Sequence, residues 1–406
     1  MSGLRFVDCE THRRGFLRGA GAGVLAAGIP SLSLASAPTN RRFVLVILRG
    51  GLDGLAAVPP IGDPHYGSLR GELSLVGAPG LQALDGLFAL HPALSDLWPL
   101  WQAREMLVLQ ATGLSYRGRS HFDAQNALET GGREARTHHD GWVNRALAAL
   151  GPGGGQSGLA VAPSVPLALI GEAPVTSWSP DHLPTADADY LERLSRLYVR
   201  NPNFGDGLER AIDIRQTASA MDLGEGGRPK GGRRGKSFEP FAKGLGRLLA
   251  APDGPRIAVT ETGGWDTHAR QGAESGLLAR RLDDLAGGLL ALKDALGPVW
   301  TETVVVVVSE FGRTVRVNGS GGTDHGTGGV GLVLGGRVAG GRVLTDWPGL
   351  APRSLLDGRD LRPTHNLVGL FKAILDQHLN VPGRGIDRSV FPGFASVSPT
   401  RDVMRA

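Results

Sequence analysis

The chain contains several continuous runs of apolar residues in which hydrophobic and polar positions do not alternate. The clearest run is five consecutive valines at residues 304–308, and the sequence FVLVIL fills residues 43–48. Runs rich in β-branched residues are typical of strands buried on both faces, which occur mainly in parallel sheets covered by helices. Shorter runs at residues 106–110 and 256–261 predict two more such strands. The pattern predicts an α/β fold with a central, mostly parallel sheet.

Segments with apolar residues at helical spacing predict the helices that cover this sheet. They occupy residues 92–102, 142–150, 186–199, 207–221, 239–249, 275–296 and 364–379. Weaker strand patterns lie at residues 159–161, 167–170, 330–334 and 342–344. His365 and His378 on the last helix are expected to be surface or capping residues. The strand at 256–261, the helix after it and the valine strand form a predicted βαβ unit, whose right-handed crossover brings both strand ends to one edge of the sheet.

Acidic residues and histidines follow two of these strands at the point where each ends. Glu310 leaves the valine strand, Asp324 and His325 lie on the glycine-rich loop after it, and Asp266 and His268 follow the preceding strand. Carboxylates and imidazoles at one sheet edge are suitable ligands for zinc. A metal site and an ordinary polar strand end explain the valine-strand residues about equally. Two acid-and-histidine loops at successive strand ends favour the metal site.

Three further polar positions are candidates for the same edge. The first strand ends in a glycine turn that presents Arg49 and Asp53, and Asp53 is either a site residue or an ordinary turn former before Gly54. Ser120, with Asp123 three residues later, fits the N-cap of a helix. A hydroxyl at a helix N-terminus is also a candidate nucleophile, because the helix dipole and free amides favour negative charge there.

The N-terminal residues have the organisation of an export signal. Paired arginines, Arg13 and Arg14, precede an alanine- and glycine-rich apolar run at residues 19–34, and Ala35-Ser36-Ala37 offers a small-residue cleavage site. The segment resembles a twin-arginine (Tat) signal, which implies the Tat export machinery as a partner and a periplasmic or otherwise exported protein. The apolar run is too short and too glycine-rich for a stable membrane span. We therefore expect a signal at residues 1–37 and a single domain at residues 38–406.

The composition of the exported part limits the ligands and partners that we expect for it. The signal carries four arginines and two acidic residues, so its removal lowers the net charge from +4 to about +2, which gives no indication of nucleic-acid binding. Cys9, the single cysteine, lies in the signal, so a metal would be held by histidines and carboxylates. The basic, glycine-rich residues 222–236 could contact an anionic surface, although a solvated loop explains them more simply.

Five motifs, in order RRGFL, LRGGLDGL, SHFDAQ, GGWDTH and SEFGRT followed by GGTDHGTGG, resemble those of the Tat-exported bacterial family called domain of unknown function 1501. That family is grouped with the alkaline phosphatase and sulfatase superfamily. The resemblance implies an alkaline-phosphatase-like three-layer α/β/α sandwich, with a metal-centred active site at the strand ends.

The resemblance also implies roles for individual residues. Asp53 would stand near the first acidic ligand of the superfamily, Ser120 at its nucleophile, and His325 at its late histidine. Asp266 and His268 would form a ligand pair at a shorter spacing than usual. Phe311 follows Glu310 where a histidine ligand is expected, so a one-metal site fits as well as a two-metal site.

The leading hypothesis is an exported metal-dependent hydrolase of phosphate or sulfate esters, in which Ser120 attacks and Arg49 or Arg313 holds the anion. The metal, zinc or calcium, would be bound among Asp53, Asp266, His268, Glu310, Asp324 and His325. A second hypothesis is a non-catalytic exported protein that keeps the fold and binds a partner or glycan. A third is a structural calcium site only.

Overall fold

In the computed structural model, the described residues are 40–150, 158–162, 164–180 and 238–405, and nine strands among them form one large sheet. Its strands are β1 (Arg42–Arg49), β4 (Met106–Gly113), β5 (Gly158–Val161), β6 (Val175–Trp178), β7 (Ile257–Gly263), β8 (Thr303–Ser309), β9 (Gly329–Leu334), β10 (Arg342–Leu344) and β11 (His365–Asn366). Their order is β10-β4-β9-β8-β1-β7-β5-β6, and β11 pairs with β4. A separate hairpin consists of β2 (Gln82–Ala83) and β3 (Ala89–Leu90).

Helices lie on both faces of this sheet. The described α-helices are α1 (Gly54–Ala57), α2 (Tyr66–Arg70), α3 (Trp98–Gln102), α4 (His121–Thr130), α5 (Trp142–Ala149), α6 (Glu239–Ala250), α7 (Leu277–Leu296), α8 (Leu367–Gln377) and α9 (Gly383–Gly385). Short 3₁₀ turns cover Gly71–Leu73, Pro92–Leu97, Leu167–Leu169, Gly297–Glu302 and Pro352–Ser354, and Ile386–Val390 is a π-helical turn. In the segments that the structure describes, no helix is both long and apolar enough to cross a membrane.

The two faces of the central strands explain the unbroken apolar runs. Val304, Val306 and Val308 of β8 pack into one core with α4, α5 and α8. Val305 and Val307 pack into the opposite core with α6 and α7. Since every valine of β8 enters one core or the other, no polar residue interrupts the run. The predicted α/β architecture, with a mostly parallel sheet between two helical layers, is confirmed.

Strand direction brings the chemically interesting loops together. β1 lies between β7 and β8 in parallel, with Leu48 opposite Ser309 and Arg49 opposite Gly263. β9 runs antiparallel to both β8 and β4. The whole connection from β8 to β9, residues 310–328, therefore lies at the carboxyl edge of the parallel strands, beside the loop that follows β7. Both acid-and-histidine loops thus reach the same edge, as the sequence predicts.

Other predictions need correction or remain open. Residues 167–170 were expected to be a strand and form a 3₁₀ turn, and the helix expected at 92–102 begins as a 3₁₀ turn. His378 is the C-cap of α8, which agrees with the capping alternative expected for it, and its side chain is fully buried. The signal at 1–37, the helices at 186–199 and 207–221 and the basic segment 222–236 lie outside the described residues.

His378 makes stability depend on pH. Its Nε2 donates a 2.8 Å hydrogen bond to the Arg42 carbonyl, and its buried Nδ1 has no partner among the described residues. Burial, and to a lesser extent the nearby Arg41 and Arg337, lower the pKa of His378 from 6.5 to about 4. The folded state therefore favours the neutral ring, and this contribution is complete above pH 6.5 and lost as the pH falls towards 4.

We predict that lowering the pH from 6.5 to 4 removes about 3 kcal/mol of unfolding free energy through His378. His378→Gln keeps a donor for Arg42 but does not titrate, so urea unfolding of this variant should show a shallower pH dependence in that window. The exposed His139→Gln is the matched control and should keep the wild-type slope. An identical slope in His378→Gln would contradict the assignment.

Candidate metal centre

Three histidines and one aspartate from three separate segments of the chain converge at the carboxyl edge of the sheet. His121 begins α4 after β4, Asp266 and His268 lie in the loop after β7, and His325 lies in the β8–β9 connection. The two loops pack backbone against backbone: a Cβ at Gly322 would lie 2.4 Å from the carbonyl oxygen of Thr267. Glycine at that position therefore allows the loops to approach closely.

Asp266, His268 and His325 form a close triangle. Asp266 Oδ1 lies 3.0 Å from His268 Nε2 and 3.2 Å from His325 Nε2, and the two Nε2 atoms are 2.9 Å apart. His121 approaches from another side, with Nε2 3.4 Å from Asp266 Oδ2. One ligand atom each from His121, Asp266 and His325 fall within 4.8 Å of one another.

The other ring nitrogen of each histidine has an acceptor. His121 Nδ1 is 2.7 Å from Glu310 Oε1, His268 Nδ1 is 3.1 Å from Asp324 Oδ1, and His325 Nδ1 is 2.8 Å from the carbonyl oxygen of Arg119. Carbonyl and carboxylate oxygens accept hydrogen bonds, so these contacts favour the tautomer with its hydrogen on Nδ1. In that tautomer the Nε2 atom of each ring presents a lone pair to the shared space.

These donors fit a metal ion. Three Nε2 lone pairs and a carboxylate that face one another repel unless protons or a cation lie between them. His121 Nε2 is buried and has no hydrogen-bond partner in the part of the chain that the structure describes. Ligands at about 2.0–2.1 Å in a tetrahedron lie roughly 3.3 Å apart, close to the distances between these donors. Histidines held through Nδ1 by a carboxylate or carbonyl are the usual arrangement around a metal.

Glu310 supports this centre through His121. Its side chain is fully buried, and Oε1 also accepts hydrogen bonds from Gly50 N (2.9 Å) and Gln125 Nε2 (3.1 Å). Burial alone would raise the pKa of Glu310, but the bonds from His121 and its neighbours lower it. The bond to Glu310 in turn raises the pKa of His121. Glu310 is thus placed to orient His121, and its role as a direct ligand stays a prediction.

Comparison of the sequence with protein families matches residues 106–380 to the family described as "Protein of unknown function (DUF1501)", more than half of the chain. The chain belongs to the DUF1501 family. The resemblance inferred from the sequence motifs is thus confirmed. No curated protein matches the sequence.

Among solved structures, this DUF1501 chain is similar to the following three proteins or domains. A phosphonate monoester hydrolase of Agrobacterium radiobacter is 14% identical over 75% of this chain and 70% of its own, with a TM-score of 0.33. The sulfatase PsFucS1 from Pseudoalteromonas sp. is 14% identical over 75% and 64%, with a TM-score of 0.32. The zinc complex of the C-terminal periplasmic domain of EcEptC from Escherichia coli is 13% identical over 73% and 72%, with a TM-score of 0.32. These similarities are too distant to assign an activity.

In this DUF1501 protein the predicted site residues divide into two groups. Asp266, His268 and His325 meet at the centre, and Asp324 and Glu310 contact its histidines. Asp53 is held elsewhere: it caps α1 through Ala56 N and pairs with Arg70. Its carboxylate is therefore committed to protein groups and not directed at the shared space.

Arg49 and Arg313, which were predicted to hold a substrate anion, are also paired with protein groups. Arg49 pairs with Glu129 at 2.9 Å and with Glu261 at 2.5 Å. Burial alone would lower the pKa of Arg49, but these two carboxylates raise it. Arg313 is fully buried and donates to four carbonyl oxygens and to Asp266 Oδ1 at 2.5 Å. Neither guanidinium is free to hold a substrate anion.

Ser120 lies where the sequence places it. Its Oγ accepts a long hydrogen bond, 3.5 Å, from Asp123 N at the N-terminus of α4. Its neighbours on both sides contact the centre, Arg119 through its carbonyl oxygen and His121 through its ring. The hydroxyl is therefore at the margin of the centre, in the capping position that alone would explain a serine.

Sequence reasoning missed His121 and Gln125. Both lie in the motif SHFDAQ, four residues apart, which places them on one face of α4, where both reach Glu310. A histidine followed four residues later by a polar residue at the start of a helix was the available signal. The adjacent His138 and His139 lie outside this cluster.

Arg313 should be critical for stability, because its replacement leaves four buried carbonyl oxygens and Asp266 without their donor. We predict that Arg313→Met lowers the free energy of unfolding by at least about 3 kcal/mol. Arg313→Lys should recover only part of this loss, since an ammonium lacks the planar fork. Chemical denaturation measures both, and the exposed Arg316→Met is the control. A loss for Arg313→Met no larger than that control would contradict the role.

Proposed function

We propose that this protein is an exported metal-dependent hydrolase that acts on phosphate or sulfate esters, with zinc bound by His121, Asp266 and His325 and with His268 as a fourth donor. The observation that carries the proposal is the convergence of the Nε2 atoms of three histidines on one carboxylate. Export rests on the twin-arginine signal of the sequence.

The donor set favours zinc over calcium. Calcium takes six to eight oxygen ligands, and magnesium also prefers oxygen. Imidazole nitrogens with one carboxylate suit zinc and related transition metals. Of the two metals expected from the sequence, we therefore retain zinc, which would supply Lewis-acid polarisation of a substrate oxygen.

The number of ligands distinguishes a catalytic from a structural zinc. Catalytic zinc has three protein ligands and an open position, whereas structural zinc has four. His268 has the most exposed side chain of the three histidines, 43% against 25% for His121 and 22% for His325. His268 therefore lies on the solvent side, where an open position would be useful to a substrate.

The residues of the chain itself would carry the ester chemistry. Ser120 Oγ would form a bond to phosphorus or sulfur as the bond to the alcohol breaks, with the hydroxyl proton leaving on the alcohol, and water would then hydrolyse the serine ester. The anion requires a cation other than Arg49 and Arg313. We propose Arg281, whose guanidinium packs against Gly264, two residues before Asp266, and makes no hydrogen bond or ion pair among the described residues.

A non-catalytic exported binding protein with a structural zinc is the second candidate. One argument for it is that Arg49 and Arg313 are already paired with protein groups. Another is that the contacts of Ser120 Oγ include no basic side chain in the described part of the chain. The two candidates share the metal and differ in turnover.

The first prediction from this proposal concerns metal content. Protein purified without chelator should contain about one equivalent of zinc by elemental analysis. His121→Ala and Asp266→Ala should weaken zinc affinity by at least about 100-fold, and Glu310→Gln by about 10- to 100-fold, because Glu310 acts through His121. The exposed His139→Ala should retain wild-type affinity. Folded wild-type protein that binds no zinc would refute the proposal.

His268→Ala separates the two kinds of site in the same titration. A catalytic site should keep its zinc with a modest loss of affinity, whereas a closed structural site should lose it as completely as His121→Ala does.

The second prediction concerns turnover. Zinc-loaded protein should hydrolyse at least one member of a panel of aryl phosphates and aryl sulfates, and Ser120→Ala should lower kcat by about 10³-fold or more because the nucleophile is lost. Ser320→Ala, an exposed serine in the β8–β9 connection, should have no effect. Arg281→Gln should raise KM, whereas its exposed neighbour Arg280→Gln should not. Zinc binding without any hydrolysis would favour the binding protein.

A further inference from the structure

A buried polar network lies beneath the two loops that supply Asp266, His268 and His325. Gln271 is fully buried, and its Oε1 accepts hydrogen bonds from Thr267 Oγ1 at 2.8 Å and from Thr323 Oγ1 at 2.9 Å. Its Nε2 donates a 2.7 Å hydrogen bond to Asp53 Oδ2. Both threonines are also fully buried.

The two threonines occupy positions directly next to the candidate ligands. Thr267 stands between Asp266 and His268, and Thr323 stands two residues before His325. The backbone joins the same pair, since Thr323 N donates to the Thr267 carbonyl oxygen at 3.1 Å. One side-chain oxygen of Gln271 thus holds both ligand loops at a fixed separation.

The chemistry of a glutamine side chain suits this position. Its amide oxygen has two lone pairs for two hydroxyl donors, and its amide nitrogen supplies the donor that a carboxylate requires. Glutamate in its place would oppose the Asp53 carboxylate, and a shorter amide would not span the same gap. Threonine adds rigidity, because a β-branched side chain has few rotamers.

Asp53 and Arg70 anchor the other end of the network. Both are fully buried and form an ion pair, and Arg70 Nη1 also donates to the carbonyl oxygens of Thr314 and Val315 at 3.3 Å. These two residues directly follow Arg313. The network therefore connects the turn after β1 to both ligand loops.

We infer that Gln271 is a positioning residue for the metal centre, which holds the loops of Asp266–His268 and of His325 in register through Thr267 and Thr323, with Asp53 as its anchor. This inference rests on the proposed metal function for its effect on affinity. The positioning itself is a property of the loops and is measurable without metal.

Two isosteric variants test it. Thr267→Val and Thr323→Val remove the hydroxyls and keep the shape, and Thr303→Val is the matched control: Thr303 is fully buried, donates to the Val299 carbonyl oxygen at 2.7 Å and begins β8 at the opposite edge of the sheet. Zinc affinity is measured by competition with a chromophoric chelator, and geometry by the visible spectrum of the cobalt-substituted protein.

Each of the two threonine variants should weaken zinc binding about 10-fold and shift the cobalt spectrum, as loss of an outer-shell partner typically does. Their effects should not add, because both hydroxyls act on the same Gln271 oxygen. Gln271→Met should weaken zinc binding at least as much as the double variant, because it also removes the donor to Asp53. Thr303→Val should leave affinity and spectrum unchanged. Wild-type zinc affinity in both threonine variants would overturn the inference.

Hydrogen exchange of the metal-free protein separates this inference from the proposed function. Thr267→Val should accelerate exchange in residues 318–325, on the other loop, and Thr303→Val should not. If the wild type binds no zinc, the proposed function fails, and accelerated exchange still supports the positioning role. Unchanged exchange in residues 318–325 would overturn it.

Discussion

The carboxyl edge of the sheet is organised around one buried cation. Arg313 leaves the end of β8 and donates to Gly50 and Gly51 after β1, to Trp265 and Asp266 after β7, and to Thr323 in its own loop. A fully buried guanidinium is costly unless its donors are satisfied, and here the backbone of three loops satisfies them. Burial alone would raise the pKa of Asp266, but the bond from Arg313 lowers it, so the carboxylate is ionised where the histidines meet.

Because the backbone of these loops is fixed in this way, only the rotation of each histidine side chain remains to be determined. That rotation depends on the acceptor at Nδ1: Glu310 for His121, Asp324 for His268 and a backbone carbonyl for His325. Asn318 contributes most to lowering the pKa of Asp324, with His268 adding to the effect, so this acceptor is also charged. Charged or carbonyl acceptors therefore orient each ring with Nε2 towards the shared space, and the same interactions that stabilise the loops place the donors for a metal.

The sequence predicted those parts of the structure that depend on burial and strand order. The valines of β8 could only be a doubly buried strand, and the loops of Asp266 and His325 had to meet once β7 and β8 were parallel to β1. The direction of β9 could not be predicted, because an apolar strand has the same pattern in either direction. The partners of Asp53, Arg49 and Glu310 were equally hidden, since they come from residues 17 to more than 200 positions away. The role of His121 could not be predicted, because the capping role of Ser120 already explained the motif SHFDAQ.

Charge and exposure together bear on whether the centre is catalytic. Asp266, Asp324 and Glu310 have lowered pKa values, and their positive neighbours include Arg313 beside Asp266 and Arg359 near Asp324, so three ionised carboxylates surround the histidines. His268 and Asp324 form a hydrogen-bonded pair with side chains 43% and 49% exposed, and Asp266 is also 43% exposed. His121 and His325, 25% and 22% exposed, are held by groups of the interior and of the α4 turn. Of the three histidines, His268 therefore faces solvent most, on the side where a catalytic zinc would keep its open position.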